Sequence, residues 1–321
     1  MATQPGPRLL VVGAGVNGSI CAAYLWQAGV DVTLLARGQR YADLVANGVI
    51  IEDQLAHTRM VRQVPVIDRL DSADRYDYIL VVVRRNQVAD LLPTLARNVS
   101  PTVVFMVNNL AGADDYVNAL GRERVLLGFV FGAGRREGTV IRGLVATSGL
   151  LGMTRTPFGE VDGRITDRLT RLVAVFRSAG LHAGVSRHMI DWQTSHAILL
   201  PSLALPLLHH NLDVRVLARS DEDMRLMVDS MRDALDVLHA VGYRLIPRTN
   251  QLVRWIPRRL LRALIRAALP TRIFDMGARW HISQAPDEML ELARELALLA
   301  DRSGLPVPAL RKLLRLVPAA H

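Results

Sequence analysis

The stretch Val11–Ile20, VVGAGVNGSI, determines how the beginning of the chain folds. An apolar run ends at its first glycine and a helix-forming segment follows its second, so the stretch predicts a strand, a tight turn and a helix. Gly13, Gly15 and Gly18 form the pattern G-x-G-x-x-G in that turn. This pattern lets the backbone turn sharply, lets a phosphate approach it closely, and lets the helix pack closely on the strand. We therefore predict a dinucleotide site here, with a purely structural glycine turn as the alternative.

The first turn of this predicted helix, which contains Val16 and Asn17, extends the site. Its backbone N–H groups have no partner within the helix, and the helix dipole is positive at this end. Both properties favour a pyrophosphate. The residues of the turn expected to contact the cofactor are Gly13, Gly15, Val16, Asn17 and Gly18.

Short apolar runs alternate with helical segments up to about residue 130. The runs RLLVVGAG, DVTLLAR, YDYILVVVR, TVVFMVN and RVLLGFVFG are typical of buried strands, and the segments between them have helical spacing. Strand–helix–strand order with short connections predicts a parallel sheet covered on both faces. The glycine-punctuated stretch from Arg135 to about Gly159 predicts a small antiparallel addition, followed by one more helix and one short strand.

No strand pattern follows residue 188, and the remaining segments all have helical spacing. The fold class predicted is therefore α/β for the first part, a doubly wound Rossmann domain with a mostly parallel sheet, and all-α for the second. We place the first domain at residues 1–188 and the second at residues 189–321.

Composition and charge argue against several classes of binding partner. The net charge is +9, and Lys312 is the only lysine among 39 basic residues. No aromatic cluster accompanies the arginines, so we interpret them as a solvated surface and expect neither a nucleic-acid partner nor a membrane partner. His209 and His210 lack the spacing and the third ligand of a zinc site, so no metal is expected.

The expected location is the cytoplasm. No apolar run approaches the roughly 18–20 residues of a membrane span, and the first ten residues lack the apolar core of a signal peptide. The single cysteine, Cys21, forms no internal disulfide, which suits a reducing compartment.

The residues after the second strand indicate which dinucleotide binds. NAD sites usually carry Asp or Glu there, to hold the ribose 2′-OH. This chain has Leu35, Ala36 and Arg37, which offer no carboxylate to repel a 2′-phosphate and a guanidinium to bind one. Arg84, at the end of the run ILVVVRR, is a second candidate contact on the same edge. We predict NADP(H).

Four stretches make the chain resemble the ketopantoate reductase (2-dehydropantoate 2-reductase) family: GAGVNGSICAAYLWQAGVDVTLLARG, ILVVVRRNQV, VFMVNNLAG and SGLPVPALRKLL. The resemblance implies a Rossmann domain followed by a helical substrate and dimerisation domain. It also implies NADPH as hydride donor, a 2-oxo acid as acceptor, reaction in the cleft between the domains, a homodimer, and a place in pantothenate biosynthesis.

The resemblance also assigns site residues, and the chain departs from the family at several of them. Arg84 stands where the family has a lysine, which places it on the cofactor side. Asn109 matches the family asparagine near the nicotinamide and the substrate, while Leu110 replaces the glycine that follows it. Glu288, twenty residues before Pro308, matches the glutamate that binds the substrate hydroxyl or assists the acid.

The family's general acid is a lysine two residues after a tryptophan, and here that position is Thr194, after Trp192. The helix asparagines that hold the substrate in the family become Ile198 and Ser202. Ketone reduction requires a proton for the developing alkoxide, and threonine is a poor acid. His196 is the nearest titratable substitute, with a hydrogen-bonded interdomain histidine as the alternative interpretation.

These residues predict an NADPH-dependent reductase of a 2-oxo acid or related ketone, with ketopantoate itself not the preferred substrate. Two alternatives stay open. One is an opine-type or other hydroxyacid dehydrogenase that uses a His/Glu pair, and the other is a protein that binds NADP(H) without turnover.

Overall fold

The computed structural model describes residues 6–54, 56–130, 132–145, 156–246, 248–274 and 278–316. These residues form two compact units. The first contains the described residues up to Val107 together with Ala113–Met189, and the second contains Asn108–Gly112 together with the described residues from Ile190 onward. The short segment Asn108–Gly112 thus groups with the second unit, although it lies within the sequence of the first.

Twelve strands are present among the described residues of the first unit. They are β1 (Leu9–Val12), β2 (Val32–Leu35), β3 (Val49–Asp53), β4 (Thr58–Arg62), β5 (Val66–Ile67), β6 (Tyr78–Val81), β7 (Val103–Phe105), β8 (Val125–Gly128), β9 (Gly132–Glu137), β10 (Val140–Val145), β11 (Thr156–Glu160) and β12 (Ala183–Val185). The helices of this unit are α1 (Val16–Gln27), α2 (Gly38–Asn47), α3 (Val88–Arg97), α4 (Asp114–Leu120) and α5 (Asp167–Ser178).

The main sheet has eight strands in the order β12-β11-β8-β7-β6-β1-β2-β5. Every neighbouring pair in it is parallel except β8 with β11. All residues of β1, β2, β6 and β8 are buried, as expected for strands covered on both faces. The mostly parallel Rossmann sheet predicted from the apolar runs is confirmed.

A second sheet, in the order β4-β3-β10-β9, contains part of the predicted antiparallel addition. β9 and β10 form an antiparallel hairpin, as predicted, but β10 also pairs in parallel with β3. The sequence pattern did not predict β3 and β4. The last predicted strand of the addition, β11, instead pairs with β8 in the main sheet, and residues 146–155 lie outside the described residues.

The rest of the chain is helical, as predicted, and no strand occurs among its described residues. The helices are α6 (Met189–Ala197), α7 (Leu200–His209), α8 (Val214–Arg219), α9 (Asp221–Ala240), α10 (Leu252–Trp255), α11 (Arg258–Ala268), α12 (Arg272–Phe274), α13 (Trp280–Gln284), α14 (Pro286–Ser303) and α15 (Pro308–Leu314). None of the described helices is both long and apolar enough to cross a bilayer.

Helix α14 positions the acidic residues of the second unit. It begins with Pro286 in its first turn and ends at Gly304, which has a left-handed backbone with φ of 66°. Its buried leucines, including Leu292 and Leu296, join the core of the unit. Glu288 and Glu295 are also buried, and a separation of seven residues places both carboxylates on one face of the helix.

Candidate active site

In the glycine turn between β1 and α1, two of the three glycines lie where any larger side chain would clash with the backbone. Gly13 has a φ of +111°, and a Cβ there would lie 2.3 Å from the carbonyl oxygen of Val82. A Cβ on Gly18 would lie 1.9 Å from the carbonyl oxygen of Gly13. Gly15 differs, because a Cβ there would meet no described atom within 4 Å. Packing therefore explains Gly13 and Gly18 but not Gly15, where close approach of a phosphate stays a prediction.

The N-terminus of α1 fits a phosphate group. Gly15 is its N-cap, no side chain among the described residues caps it, and its first turn has no acidic residue. Asn17, in that turn, has a buried Oδ1 with no hydrogen-bond partner among the described residues. Uncapped N–H groups at the positive end of a helix dipole form an anion site.

Arg37 and Arg84 follow strands on either side of β1. Arg37 comes two residues after β2, is exposed, and is the N-cap of α2, and buried Ala36 precedes it. Arg84 comes three residues after β6 and is half-buried. Because β2 and β6 both pair in parallel with β1, the carboxyl ends of all three strands meet at one edge of the sheet. The predicted cofactor residues of the first unit all lie at this edge.

Arg40 is a residue at this edge that the sequence analysis did not identify. Its guanidinium donates to the carbonyl oxygen of Ala14 at 3.1 Å and to the hydroxyl of Ser19 at 3.2 Å. Desolvation, reinforced by the nearby charge of Arg136, lowers the pKa of Arg40 to about 10, so it stays cationic at neutral pH. It therefore fixes the glycine turn from α2 and adds positive charge beside it. The only signal in the sequence was its position three residues after Arg37.

Glu288 is the centre of a polar cluster in the second unit. It lies in the first turn of α14 and is 3% exposed. The side-chain amide of Asn108 donates to its Oε1 at 3.2 Å, and Nε2 of His281 lies 3.6 Å from its Oε2. Oδ1 of Asn108 is buried and has no hydrogen-bond partner among the described residues. A buried carboxylate beside an amide and an imidazole is a typical arrangement of catalytic groups.

The two asparagines of the VNNL stretch have different roles. Asn109 closes its own loop, since its amide donates to the carbonyl oxygen of Gly112 at 2.7 Å and its Oδ1 accepts from the backbone N–H of Ala111 at 3.0 Å. Asn108 reaches Glu288, a contact that the sequence analysis did not predict. The sequence could not distinguish adjacent asparagines, because the backbone of the loop decides which side chain points toward α14.

The predicted substitutes for the lysine lie on α6. The hydroxyl of Thr194 is buried and donates to the carbonyl oxygen of Ile190 at 2.9 Å, within its own helix. His196 stacks on Trp192 with ring centroids 5.5 Å apart and planes 6° apart. Desolvation, with a smaller contribution from His281, lowers the pKa of His196 to about 4. His196 is therefore neutral at pH 7, which argues against it as a proton donor.

The two positions at which the family has substrate-binding asparagines, Ile198 and Ser202, are both buried. Ile198 is buried in the core of the second unit, and Ser202, on α7, is buried with a hydroxyl that has no partner among the described residues. Lys312, on α15, forms an ion pair with Glu222 at 2.7 Å, and both side chains are exposed. No group of three or more His, Cys, Asp or Glu side chains among the described residues is placed to hold a metal ion.

Comparison with known proteins identifies the family of the first part of the chain. Residues 9–162 match the family model described as Ketopantoate reductase PanE/ApbA. This part of the chain is a ketopantoate reductase domain. A 2-dehydropantoate 2-reductase of Pyrococcus horikoshii is 24% identical over 199 residues, and the alignment spans 60% of this chain and 60% of that protein. The predicted family is confirmed for this part of the chain.

Solved structures of ketopantoate reductases share the fold of the whole chain. A 2-dehydropantoate 2-reductase of Geobacter metallireducens is 20% identical, covers 97% of this chain and 98% of its own, and superposes with a TM-score of 0.73. A D-mandelate dehydrogenase solved with NADH and anilino(oxo)acetate is 13% identical, with 97% of each chain covered and a TM-score of 0.74. At these identities the likeness shows the fold, a Rossmann sheet followed by helices.

Proposed function

We propose that the protein is an NADPH-dependent reductase that converts a 2-oxo acid, or a related ketone, into the corresponding hydroxy compound. The observation that carries the proposal is buried Glu288, held by Asn108 and facing His281, in a chain whose first 162 residues include a ketopantoate reductase domain. Burial of a carboxylate costs several kcal/mol, which a catalytic role explains.

Three observations support NADPH binding by the first unit. The Gly13–Gly18 turn admits a pyrophosphate at Gly15, and the uncapped N-terminus of α1 favours its charge. Exposed Arg37 would bind the 2′-phosphate, with Arg84 on the same edge. Asn109 stays a predicted contact of the nicotinamide. When bound, the reduced nicotinamide supplies a hydride.

The second unit would hold the substrate. Oδ1 of Asn108 is buried and has no partner among the described residues, and the carboxylate oxygens of Glu288 accept hydrogen bonds, so both can accept from a hydroxyl group of the substrate or product. The family asparagines are replaced by Ile198 and Ser202, which makes this part of the site less polar. We therefore propose an acceptor with a less polar side chain than ketopantoate, with Ser202 as its remaining polar contact on α7.

Oxidation of NADPH in the presence of ketopantoate, pyruvate, 2-oxoisovalerate and phenylglyoxylate tests this function. We expect turnover of at least one of the less polar acids, and a decrease of about 10²-fold or more in kcat for Glu288→Gln. Glu291→Gln, which changes a more exposed glutamate of α14, is the matched control. Binding of NADPH without turnover of any acid supports the non-catalytic alternative, and turnover that requires an added amine supports the opine-type alternative.

A homodimer and a cytoplasmic location stay predictions. Light scattering of the purified protein measures its mass in solution and decides the first.

A further inference from the structure

We propose that His281, oriented by Glu288, donates the proton that ketopantoate reductases obtain from their lysine. The inference rests on the reductase function proposed above. It concerns a residue that neither the family resemblance nor the sequence pattern singled out.

Each of the other candidate proton donors is either bound to another group or uncharged at neutral pH. Lys312 is paired with Glu222 at the surface, and the hydroxyl of Thr194 donates to Ile190 within its helix. His196 stays unprotonated down to about pH 4. A reductase of this family nevertheless requires a proton for the oxygen that develops negative charge. His281 is the titratable side chain that remains beside Glu288.

The connection between α13 and α14 explains how His281 reaches Glu288. The helices are joined by Ala285, whose backbone N–H donates to the carbonyl oxygen of His281 at 3.1 Å, and α14 begins at the next residue. This tight junction brings Nε2 of His281 within 3.6 Å of Oε2 of Glu288, seven residues later. The histidine side chain is 35% exposed and the glutamate side chain 4%. The imidazole therefore exchanges protons with water, while the carboxylate is fixed.

The pair has the arrangement of a carboxylate that orients a catalytic histidine. One oxygen of Glu288 accepts from Asn108, and the other faces Nε2 of His281. The carboxylate therefore lies beside the ring at Nε2, within ion-pair distance but beyond hydrogen-bond distance. Nδ1 of His281 makes no hydrogen bond to a described residue, and we assign the proton transfer to it.

Among the described residues, Glu288 of α14 lies within ion-pair distance of His281, and His196 of α6 interacts with it electrostatically. His281 contributes to the lowered pKa of His196, so the two imidazoles are close enough to interact. Two adjacent imidazolium ions would repel each other. Because His196 is neutral, it does not repel a positive charge on His281, and Glu288 lies within ion-pair distance of such a charge.

The substrate's carbonyl carbon accepts a hydride, with its two electrons, from the reduced nicotinamide, and the C=O π electrons move to oxygen. That oxygen takes the Nδ1 proton of the His281 imidazolium. A C–H and an O–H bond form, the donor C–H and the N–H bond break, and the products are the hydroxy acid, the oxidised nicotinamide and neutral imidazole.

Turnover of the best oxo acid by His281→Gln is the first test. We expect kcat to decrease by about 10²–10⁴-fold, the usual contribution of a general acid, with unchanged calorimetric affinity for NADPH. His239→Gln, at an exposed histidine of α9, is the control. For His281→Ala we expect partial recovery of kcat on addition of imidazole, which a merely structural residue would not show. Wild-type kcat in folded His281→Gln overturns the inference and leaves the reductase function intact.

NMR of the histidine rings tests the role of His281 without requiring the enzyme to turn over a substrate. Oxidised NADP and oxamate, an unreactive analogue of a 2-oxo acid, are added to protein with labelled histidine. We expect the signal that is absent in His281→Gln to shift on addition of oxamate, and this shift to be lost in Glu288→Gln. An unmoved His281 signal overturns the assignment. Absence of turnover with all four acids, together with a moved signal, contradicts the proposed substrates but supports the role of His281.

Discussion

At the scale of single residues, we expect Arg37 to determine which nicotinamide cofactor binds. It is exposed at the end of β2, and no carboxylate precedes it there. A charge-assisted hydrogen bond contributes about 1.5–3 kcal/mol, so we expect Arg37→Ala to weaken NADPH binding by about 10- to 100-fold. NADH, which lacks the 2′-phosphate, should bind equally well to both proteins. Calorimetry with both cofactors measures this, and Arg97→Ala, at an exposed arginine of α3, is the control. Equal losses for NADPH and NADH would show that Arg37 does not contact the 2′-phosphate.

His196 makes stability depend on pH. Its pKa is about 4 in the folded protein and 6.5 when unperturbed, so the unfolded chain binds the proton more tightly. The stability that neutral His196 contributes is therefore complete above pH 6.5 and is lost as the pH falls through 4. We expect urea unfolding between pH 7 and pH 4 to show a loss on the order of 2 kcal/mol that His196→Asn lacks. Parallel pH profiles for the two proteins would contradict the lowered pKa.

Single residues were also where sequence reasoning was weakest. The glycines, Arg37 and Glu288 could be found because each occupies a fixed place in a motif. The contacts of Asn108 and His281 with Glu288 could not, because they depend on the path of one loop and on the junction of two helices. A sequence gives the order of these side chains but not the direction in which each points.

At the scale of elements, the first turn of α5 is fixed to β11 by an ion pair. Arg168 binds both oxygens of buried Glu160, at 2.8 Å and 2.6 Å, and the N-cap residue Thr166 donates to the same carboxylate. Arg168→Ala would leave a buried carboxylate without its cation, which typically costs about 3–5 kcal/mol. We expect chemical denaturation to show a loss of this size, and almost none for exposed Arg171→Ala on the same helix. A loss below about 1 kcal/mol for Arg168→Ala would mean that water replaces the arginine.

Strands and helices could be predicted from the sequence where their burial produces a clear pattern of apolar residues. Wholly buried β1 and β6 are continuous apolar runs, and their parallel pairing follows from the helices between strands. The strand β4 was missed because its residues are mostly exposed and polar. The pairing of β3 with β10 joins residues about ninety positions apart, and no local pattern encodes such a contact.

At the scale of the whole molecule, cofactor binding should increase thermal stability. A substitution at Gly15 should weaken cofactor binding without changing the stability of the cofactor-free protein. A ligand at a hundredfold excess over its Kd stabilises the folded state by about 2.7 kcal/mol, so NADPH should raise the melting temperature. A Cβ on Gly15 meets no described atom and its φ of −73° suits alanine, so Gly15→Ala should leave the melting temperature without cofactor nearly unchanged. The added methyl group would occupy the path of the pyrophosphate, so the increase caused by NADPH should be lost.

Gly18→Ala is the matched comparison for this prediction. Its Cβ would lie 1.9 Å from the carbonyl oxygen of Gly13, so this variant should melt at a lower temperature even without cofactor. Thermal unfolding of the three proteins, each with and without NADPH, therefore distinguishes a glycine required by packing from one required by the ligand. If Gly15→Ala keeps the full NADPH-induced increase, the pyrophosphate does not approach the backbone at Gly15, and the phosphate site must be sought elsewhere on the molecule.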